Sequence, residues 1–349
     1  MKIAVLISGG VDSSVALRLL LDQGHEVHAF YLKIWLEDDL AFLGECPWED
    51  DMLHVRKVCE QYNVPMEIVP LQKEYWDRVV DYAIRELKQG RTPSPDIFCN
   101  QRIKFGAFFD AIDDSFEKVA TGHYAQTEDC GDHVLLKRAP DPVKDQTYFL
   151  SHLNQKQMQR ILFPIGHLQK NAVRELAEQF DLPNKNRKDS QGICFLGKIK
   201  YPDFVKAHLG EKEGAIVDIN NGKSIGTHNG FWFHTIGQRT GLGLGGGPWY
   251  VVKKEPDDNI VFVAHADHYK EDAKDSLLVS DASWIYKAPE KGDLQFKLRH
   301  GPNMLNGHIT TIANGQIEIK LEEKDSGVAP GQFCIFYDGD YCLGGAAIL

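Results

Sequence analysis

The 349-residue chain lacks any apolar run approaching the roughly 20 residues a membrane span needs, so no transmembrane segment is expected. It opens directly in a strand-like run without a basic and then apolar leader, so the expectation is no signal peptide and a cytoplasmic location. Its seven cysteines are odd in number and include no CxxC pair, which argues against a disulfide framework and against a zinc knuckle. Cations are in deficit, 39 Lys and Arg against 50 Asp and Glu. The net charge of −11 counts against nonspecific attachment to nucleic acid. One short basic cluster, Asn184-Lys185-Asn186-Arg187-Lys188, followed by Lys198, Lys200 and Lys206, is the candidate for a local basic surface. What remains, 43% hydrophobic and 26% charged, is the composition of a soluble globular protein long enough for two or three domains.

The first turn of the chain has no lysine, which excludes the GxxxxGK[ST] phosphate loop, and no GxSxG, which excludes a hydrolase elbow. It reads Ser8-Gly9-Gly10-Val11-Asp12-Ser13-Ser14, between an apolar strand at residues 2–7 and a helix at residues 15–24 closed by Gly24. A strand, a glycine-serine turn and a helix start make an anion site. Glycines let the backbone approach a ligand, unpaired N–H groups point outward, and the helix dipole favours negative charge. A phosphate is the expected guest. The turn matches the SGGxDS loop of the N-type ATP pyrophosphatases, which cut ATP between the α- and β-phosphates to adenylate an oxygen.

Strand and helix alternate through the first half, with strands at 25–35, 64–71 and 118–123 and helices at 50–62, 74–89 and 103–112. This pattern predicts an α/β fold, a parallel sheet with helices on both faces and ligands at the strands' carboxyl ends. Ser8, Leu32 and Gly122 fall near such ends, so one nucleotide can touch all three. Helical signals stop after residues 171–181, and short strands at 214–218, 230–234 and 248–252 predict a small β-rich central domain. Strands alone continue to the C-terminus, predicting a β-barrel. The expected domains are 1–196, 197–272 and 273–349. Gly241-Leu242-Gly243-Leu244-Gly245-Gly246 satisfies GxGxxG, but Pro248 opens a strand where a dinucleotide site needs a helix, so it reads as a plain glycine loop.

Two further loops carry chemistry. Pro93-Ser94-Pro95-Asp96-Ile97-Phe98-Cys99-Asn100 is stiffened by two prolines and leads into the helix expected at 103, whose dipole favours a thiolate at Cys99. Asp96 is placed to handle a proton. Lys188-Asp189-Ser190-Gln191-Gly192-Ile193-Cys194 is the second cysteine loop. Two readings stay open: a persulfide on one thiol resolved by the other, or an iron–sulfur cluster with a third ligand such as Asp96, for which a carboxylate is a poor match. Cys46, Cys59, Cys130, Cys334 and Cys342 are read as structural.

In order along the chain stand SGGVDSS at Ser8, RTPSPDIFCN at Arg91, ATGHYA at Ala120, KDQTYFL at Lys144, KDSQGICFLG at Lys188, TIGQRTGLGLGG at Thr235, PWYVV at Pro248 and APGQ at Ala329. With these the chain resembles, nearly end to end, the tRNA-specific 2-thiouridylases of the MnmA/TrmU type. The resemblance implies a parallel-sheet N-terminal domain of the adenine nucleotide alpha hydrolase-like kind. It implies ATP at Leu6, Ile7, Ser8, Gly9, Gly10, Val11, Asp12 and Ser13, with Leu32 and Gly122, and Mg²⁺ accompanying the phosphates. No residue is assigned as a resident metal ligand. It implies the target base at Ser94, Pro95 and Asp96, the persulfide on Cys194 and its catalytic partner thiol at Cys99, with a Cys99–Cys194 disulfide in the oxidised protein. His123, Lys144, Asp145, Gln146, Arg299, His300 and Gln332 match tRNA-touching positions. The implied product is 2-thiouridine at the wobble position of tRNAs for Lys, Glu and Gln, with a cysteine desulfurase or sulfur relay as donor. The family usually has Asn at Ser94, often Met at Leu32, and Arg-Tyr-Arg where Arg299-His300-Gly301 stands. The alternatives are an amide-forming pyrophosphatase and a noncatalytic tRNA-binding relative.

Overall fold

The computed structural model describes residues 1–34, 48–189, 200–271, 273–312 and 315–349. Strands β1 (Lys2–Leu6), β2 (Glu26–Lys33), β3 (Met66–Pro70) and β4 (Lys118–Ala120) are followed by a hairpin of β5 (Ala125–Asp129) and β6 (Val134–Arg138), then by β7 (Ile161–Leu162). The first sheet runs β3-β2-β1-β4-β7, and every pairing is parallel. Residues of β1 alternate between two cores. Ile3 and Val5 face Leu17, Leu20 and the Met52, Val55, Val58 stripe of the Trp48–Tyr62 helix, whereas Ala4 and Leu6 face Tyr75, Val79, Phe105 and Phe108. Full burial of side chains such as Ile3 and Val5 contributes about 1.5–3 kcal/mol each. The chain builds β2 and β3 on one side of β1, then crosses to β4 on the other. The crevice for a ligand therefore opens where the loops after β1 and β4 part.

Helices depart from the expected pattern in several places, two of which bear on the site and its neighbour. The helix expected at 103 begins at Pro95 and continues through Cys99–Ala107 into Phe108–Ala111, so Cys99 lies one turn inside a helix rather than ahead of one. Proline at a first helical position fits there because the N–H it lacks has no intrahelical acceptor. A helix at Tyr201–Leu209 also interrupts the stretch expected to hold strands alone, with Pro202 near its start and Gly210 at its end, burying Phe204 and Val205.

The central unit is a four-stranded sheet of β8 (Gly214–Asp218), β9 (Ser224–His228), β10 (Trp249–Glu255) and β11 (Ile260–His265) in the order β10-β11-β8-β9. Residues 230–234, expected as a strand, contain a 3₁₀ turn at Phe231–Phe233 that sinks Phe231 into this unit's core. The Gly241–Gly246 loop leads directly into β10, with no helix after it.

The last unit comprises β12 (Lys274–Trp284), β13 (Asp293–Lys297), β14 (Leu305–Thr311), β15 (Ile317–Asp325), β16 (Phe333–Asp338) and β17 (Tyr341–Ile348). Because β12 pairs with both β15 and β17, the six strands close into a barrel. Alternation along β16 serves two cores at once: Cys334 and Phe336 fill the barrel, while Phe333, Ile335 and Tyr337 join the core of the first unit. The β5–β6 hairpin of the first unit extends this sheet, Leu136 opposite Cys342 and Lys137 opposite Tyr341. The junction also buries an ion pair, Lys297 Nζ to Asp145 Oδ2 at 2.9 Å, with both side chains fully shielded. Cys59, Cys334 and Cys342 are packed in cores, and burial raises all three thiol pKa values, Cys59 to about 11. Cys130 is exposed, and Cys46 lies outside the described residues.

Candidate active site

The loop after β1 is built around its glycines. Gly9 sits at φ +75°, and a Cβ there would stand 2.7 Å from both the Asp51 carbonyl and an Arg187 nitrogen. Gly10 caps the Val11–Asp22 helix without any side-chain bond to the first N–H groups. The loop serines turn inward instead: Ser13 and Ser14 donate to the Gly10 carbonyl at 3.1 and 3.0 Å, and the Ser8 N–H donates to Ser13 Oγ at 3.3 Å. A 12-residue helix thus presents its positive end uncapped at the sheet's crevice, the electrostatic arrangement that receives a phosphate.

Four elements wall this loop. A Cβ on Gly122, just past β4, would meet Ser13 N at 2.7 Å, so only glycine lets the two loops approach so closely. Asn184 donates to the Gly9 carbonyl at 2.8 Å and to Ser14 Oγ at 2.9 Å. Tyr124 donates to Asp12 Oδ1 at 2.9 Å, and Lys170 holds both Asp12 oxygens at 2.7 and 2.9 Å. Burial and the adjacent Asp12 charge raise the Tyr124 hydroxyl pKa, keeping it a donor. Leu32 lies in β2 two residues beyond Phe30, the neighbour of Leu6, and is half-buried at the same end of the sheet.

From Asp12 a chain of ion pairs leads outward. Lys170 also reaches Asp189 Oδ1 at 2.9 Å, Lys144 reaches Asp189 Oδ2 at 2.7 Å, and Arg174 pairs with Asp189 as well. Burial acts to raise the Asp189 pKa, but hydrogen bonds from these cations outweigh it and hold the carboxyl well below the usual range. Asp189 is the last described residue before 190–199, and Cys194 therefore lies outside the described residues. Two cations of the basic cluster are paired, and Lys198 lies outside the described residues. Arg187 pairs with Asp50 and Asp51 beside Gly9, and Lys185 pairs with Glu178 and Asp181.

The Cys99 loop lies where the barrel meets the first unit. The Thr92 N–H donates to the Pro330 carbonyl at 2.8 Å, and a Cβ on Gly331 would stand 2.7 Å from Arg91 Cβ. This seats Gln332 beside the strand of chain that enters Ser94, Pro95 and Asp96. Ser94 N–H reaches Tyr82 Oη at 3.4 Å, Phe98 packs edge-on to Phe333, and Cys99 is 1% exposed. His300, from the barrel, stacks on Phe149 at 4.7 Å, and burial lowers its pKa with the Asp96 charge a minor opposing influence; the expected base-binding and tRNA-touching residues Asp96, His300 and Gln332 lie on elements that meet at this junction.

Others are engaged by partners within the protein. Asp145 is 1% exposed and committed to Lys297, Thr147 and Arg138. Gln146 accepts the Tyr124 N–H through its side chain. His123 is buried against Phe105 and Phe163, bonded to Thr121 at 2.7 Å, and desolvation drives its pKa well down. Arg299 stays half-exposed but is held by both oxygens of Asp325. The sequence reasoning missed Tyr124, Lys170, Arg174 and Asn184. Tyr124 sits inside the ATGHYA run, whereas Lys170 and Arg174 carried no signal beyond their place in a helix.

Asp12 is the carboxylate that would hold a magnesium ion, as a single ligand and with Lys170 drawn off the oxygens it holds here. A hard dication takes one carboxylate with phosphate oxygens and water, and Asp12 keeps 31% of its side chain exposed. Among the described residues no group of three His, Cys, Asp or Glu side chains is placed to hold a metal. Nor is any described helix long and apolar enough to cross a membrane.

Sequence profiles match along the whole chain: "tRNA methyl transferase HUP domain" over residues 1–198, "tRNA methyl transferase PRC-barrel domain" over 202–265 and "Aminomethyltransferase beta-barrel domain" over 274–348. The chain is 47% identical over 356 residues to "tRNA-specific 2-thiouridylase MnmA 2" of Bacteroides fragilis, covering all of both chains. It is 46% identical over 355 residues to "tRNA-specific 2-thiouridylase MnmA 1" of Bacteroides thetaiotaomicron, covering 100% of this chain and 99% of the relative. The corresponding Parabacteroides distasonis protein is 44% identical over 357 residues, with 100% and 99% covered.

Proposed function

The chain belongs to the family of tRNA-specific 2-thiouridylases, and from that premise we propose that it installs sulfur at C2 of the wobble uridine in tRNAs for Lys, Glu and Gln. The enzyme is a tRNA sulfurtransferase that uses a nucleotide. The profile names speak of methyl transfer, but a phosphate cradle together with two cysteines in separate segments suits activation of an oxygen followed by sulfur delivery. The observation that carries the reading is the uncapped helix start at Gly10, walled by Gly122 and tied through Lys170 to Asp189 at the edge of the Cys194 segment.

In the mechanism we infer, O2 of the uracil attacks the α-phosphorus of ATP and pyrophosphate leaves. The helix N–H groups and loop backbone at Ser8–Ser13 hold the phosphates, and Mg²⁺ at Asp12, when bound, neutralises phosphate charge. The terminal sulfur of a Cys194 persulfide then attacks C2, and AMP departs with the original oxygen. Cys99 thiolate attacks Cys194 Sγ, the S–S electrons move to the sulfur on C2, and 2-thiouridine leaves behind a Cys99–Cys194 disulfide. An external thiol reductant resets the pair, and a cysteine desulfurase, directly or by relay, recharges Cys194. A flipped anticodon-loop base suits this junction because single-stranded bases can be splayed into a pocket.

Incubation of the protein with tRNA, ATP, cysteine and a cysteine desulfurase is expected to yield 2-thiouridine by nucleoside mass spectrometry. Pyrophosphate release with ammonia consumed and no sulfur in the RNA would instead support the amide-forming alternative.

Gly9→Ala is expected to abolish nucleotide binding in calorimetry and to destabilise the fold by about 1–3 kcal/mol, since a Cβ at φ +75° is strained and meets backbone. Wild-type nucleotide affinity in this variant contradicts the cradle assignment.

A further inference from the structure

Arg78 and Arg102 are held differently from the arginines around them. Arg91, Arg138, Arg174 and Arg299 are each taken by a carboxylate. Arg78 instead donates to the Arg102 carbonyl at 3.3 Å, and Arg102 returns a bond to the Arg78 carbonyl at 2.9 Å. Among the described residues neither guanidinium has an aspartate or glutamate at ion-pair distance, although the chain carries a net charge of −11. The carboxylates flanking Arg78 in sequence are engaged elsewhere, Asp77 by Lys73 and Asp81 by Arg85.

Two packed segments bring the pair together. Arg78 lies in the helical run from Gln72 to Lys88, and Arg102 in the run that starts at Pro95 and contains Cys99. Arg85, two turns beyond Arg78, is close enough for its charge to act on Arg102. The Arg102 guanidinium lies over the Phe98 ring, 3.7 Å from its centroid, and is half-buried. Burial, and the like charges of Arg85 and Arg78, act against its protonated form, which an arginine nevertheless keeps. A guanidinium laid on an aromatic ring, with most of its fork unspent, is the form in which arginine meets phosphate.

The patch adjoins the segment expected to meet the base. Phe98 packs edge-on to Tyr82 at 4.5 Å, and Tyr82 Oη accepts the Ser94 N–H at 3.4 Å. One layer of aromatic rings therefore separates Arg102 from Ser94, Pro95 and Asp96. An RNA strand with one base at that segment carries a phosphate on either side of it, and the Arg78–Arg102 pair offers phosphate a charged, forked seat.

We propose that Arg78 and Arg102, with Arg85 at their edge, bind the RNA backbone next to the target nucleotide. The proposal rests on the tRNA reading given above and adds to it where the strand is held. Such contacts set position and register, and contacts to the base itself carry the choice of uridine. In a chain of net charge −11 a polyanion needs a local seat of this kind.

The test is filter binding of an unmodified tRNA-Lys transcript to the full-length protein over a series of KCl concentrations. Arg78→Gln and Arg102→Gln are each expected to weaken binding about fivefold, and the slope of log affinity against log salt should fall by about 1 in each. A transcript with cytidine at the wobble position should lose affinity to the same extent, because a phosphate contact carries no sequence. Arg102→Lys keeps the charge and should keep the slope. A double variant, Arg78→Gln with Arg102→Gln, at wild-type affinity and slope overturns the proposal. Weakened binding with an unchanged slope also overturns it, since Arg102 would then merely support Phe98. Normal tRNA binding in the double variant with slower sulfur loading by the desulfurase assigns the patch to an acidic protein partner and overturns it as well. Arg78 is exposed, so Arg78→Gln decides the matter even if Arg102→Gln does not fold. Wild-type protein that binds no tRNA brings down the tRNA reading too, whereas wild-type binding that survives both substitutions sinks this proposal alone.

Discussion

Cys194→Ser will make no 2-thiouridine and will still release pyrophosphate from ATP when tRNA is present. A hydroxyl cannot carry a sulfane sulfur, so delivery stops, while the Ser8–Ser13 loop proposed to hold ATP is unchanged. Cys99→Ser will fail differently. Sulfur from the desulfurase should still load on Cys194, visible as an added sulfur mass, but the adduct at C2 has no thiol to resolve it. A stalled RNA–protein link should therefore accumulate in Cys99→Ser alone. Cys99 lies one turn inside the helix that starts at Pro95 and is 1% exposed, sheltered from bulk oxidants. The two variants also separate the persulfide from an iron–sulfur cluster. Full activity of the wild type under a chelator supports the persulfide. Activity that returns only after anaerobic restoration of iron and sulfide defeats the two-thiol mechanism, although the RNA product could be the same.

The parts of this site that were legible in the sequence are those made by neighbours along the chain. Ser8–Ser14 reads as a candidate phosphate loop because strand, glycine turn and helix follow one another within 22 residues, and the structure has that strand, turn and helix. The parallel sheet was legible for the same reason: the 2-to-3.6 switch in periodicity repeats element by element. What could not be read is pairing across long separations. Lys170 meets Asp12 over 158 residues, and Lys297 meets Asp145 over 152. Nothing local distinguishes these lysines from solvated ones. Asp145 and His123 sit in runs whose resemblance points to tRNA contact, yet their side chains are spent inside the protein, one on a domain junction and one between phenylalanines. Runs of sequence mark a region, and burial then decides which of its side chains reach a ligand. The Tyr201–Leu209 helix was missed for a milder reason. Its Pro202 and Gly210 are proper helix punctuation, but the glycine-rich strands after it dominate the texture.

Lys297→Met will destabilise the protein by about 3–5 kcal/mol, as expected when one member of a buried ion pair is removed and the other is left uncompensated. Asp145 is that other member. Both side chains are fully shielded, and Arg138, at 3.4 Å from the same carboxylate, is too loosely placed to replace the lysine. The loss should not stay local. Lys297 ends β13, and β13 is hydrogen-bonded to β16, whose approach loop accepts the Thr92 N–H at the Pro330 carbonyl. Thr92 leads into Ser94, Pro95 and Asp96, so loosening the barrel should disturb the proposed base-binding segment before the proposed nucleotide cradle, which sits against Gly122 and Asn184. Urea denaturation should show the lowered stability, and the Michaelis constant for tRNA should rise while nucleotide affinity, by calorimetry, stays near wild type. The double variant Lys297→Met with Asp145→Leu removes both charges and should recover part of the loss, because the desolvation cost disappears with them. A single variant within 1 kcal/mol of wild type, or a double variant no better than the single, would show that the junction is held by the Phe333, Ile335 and Tyr337 packing alone.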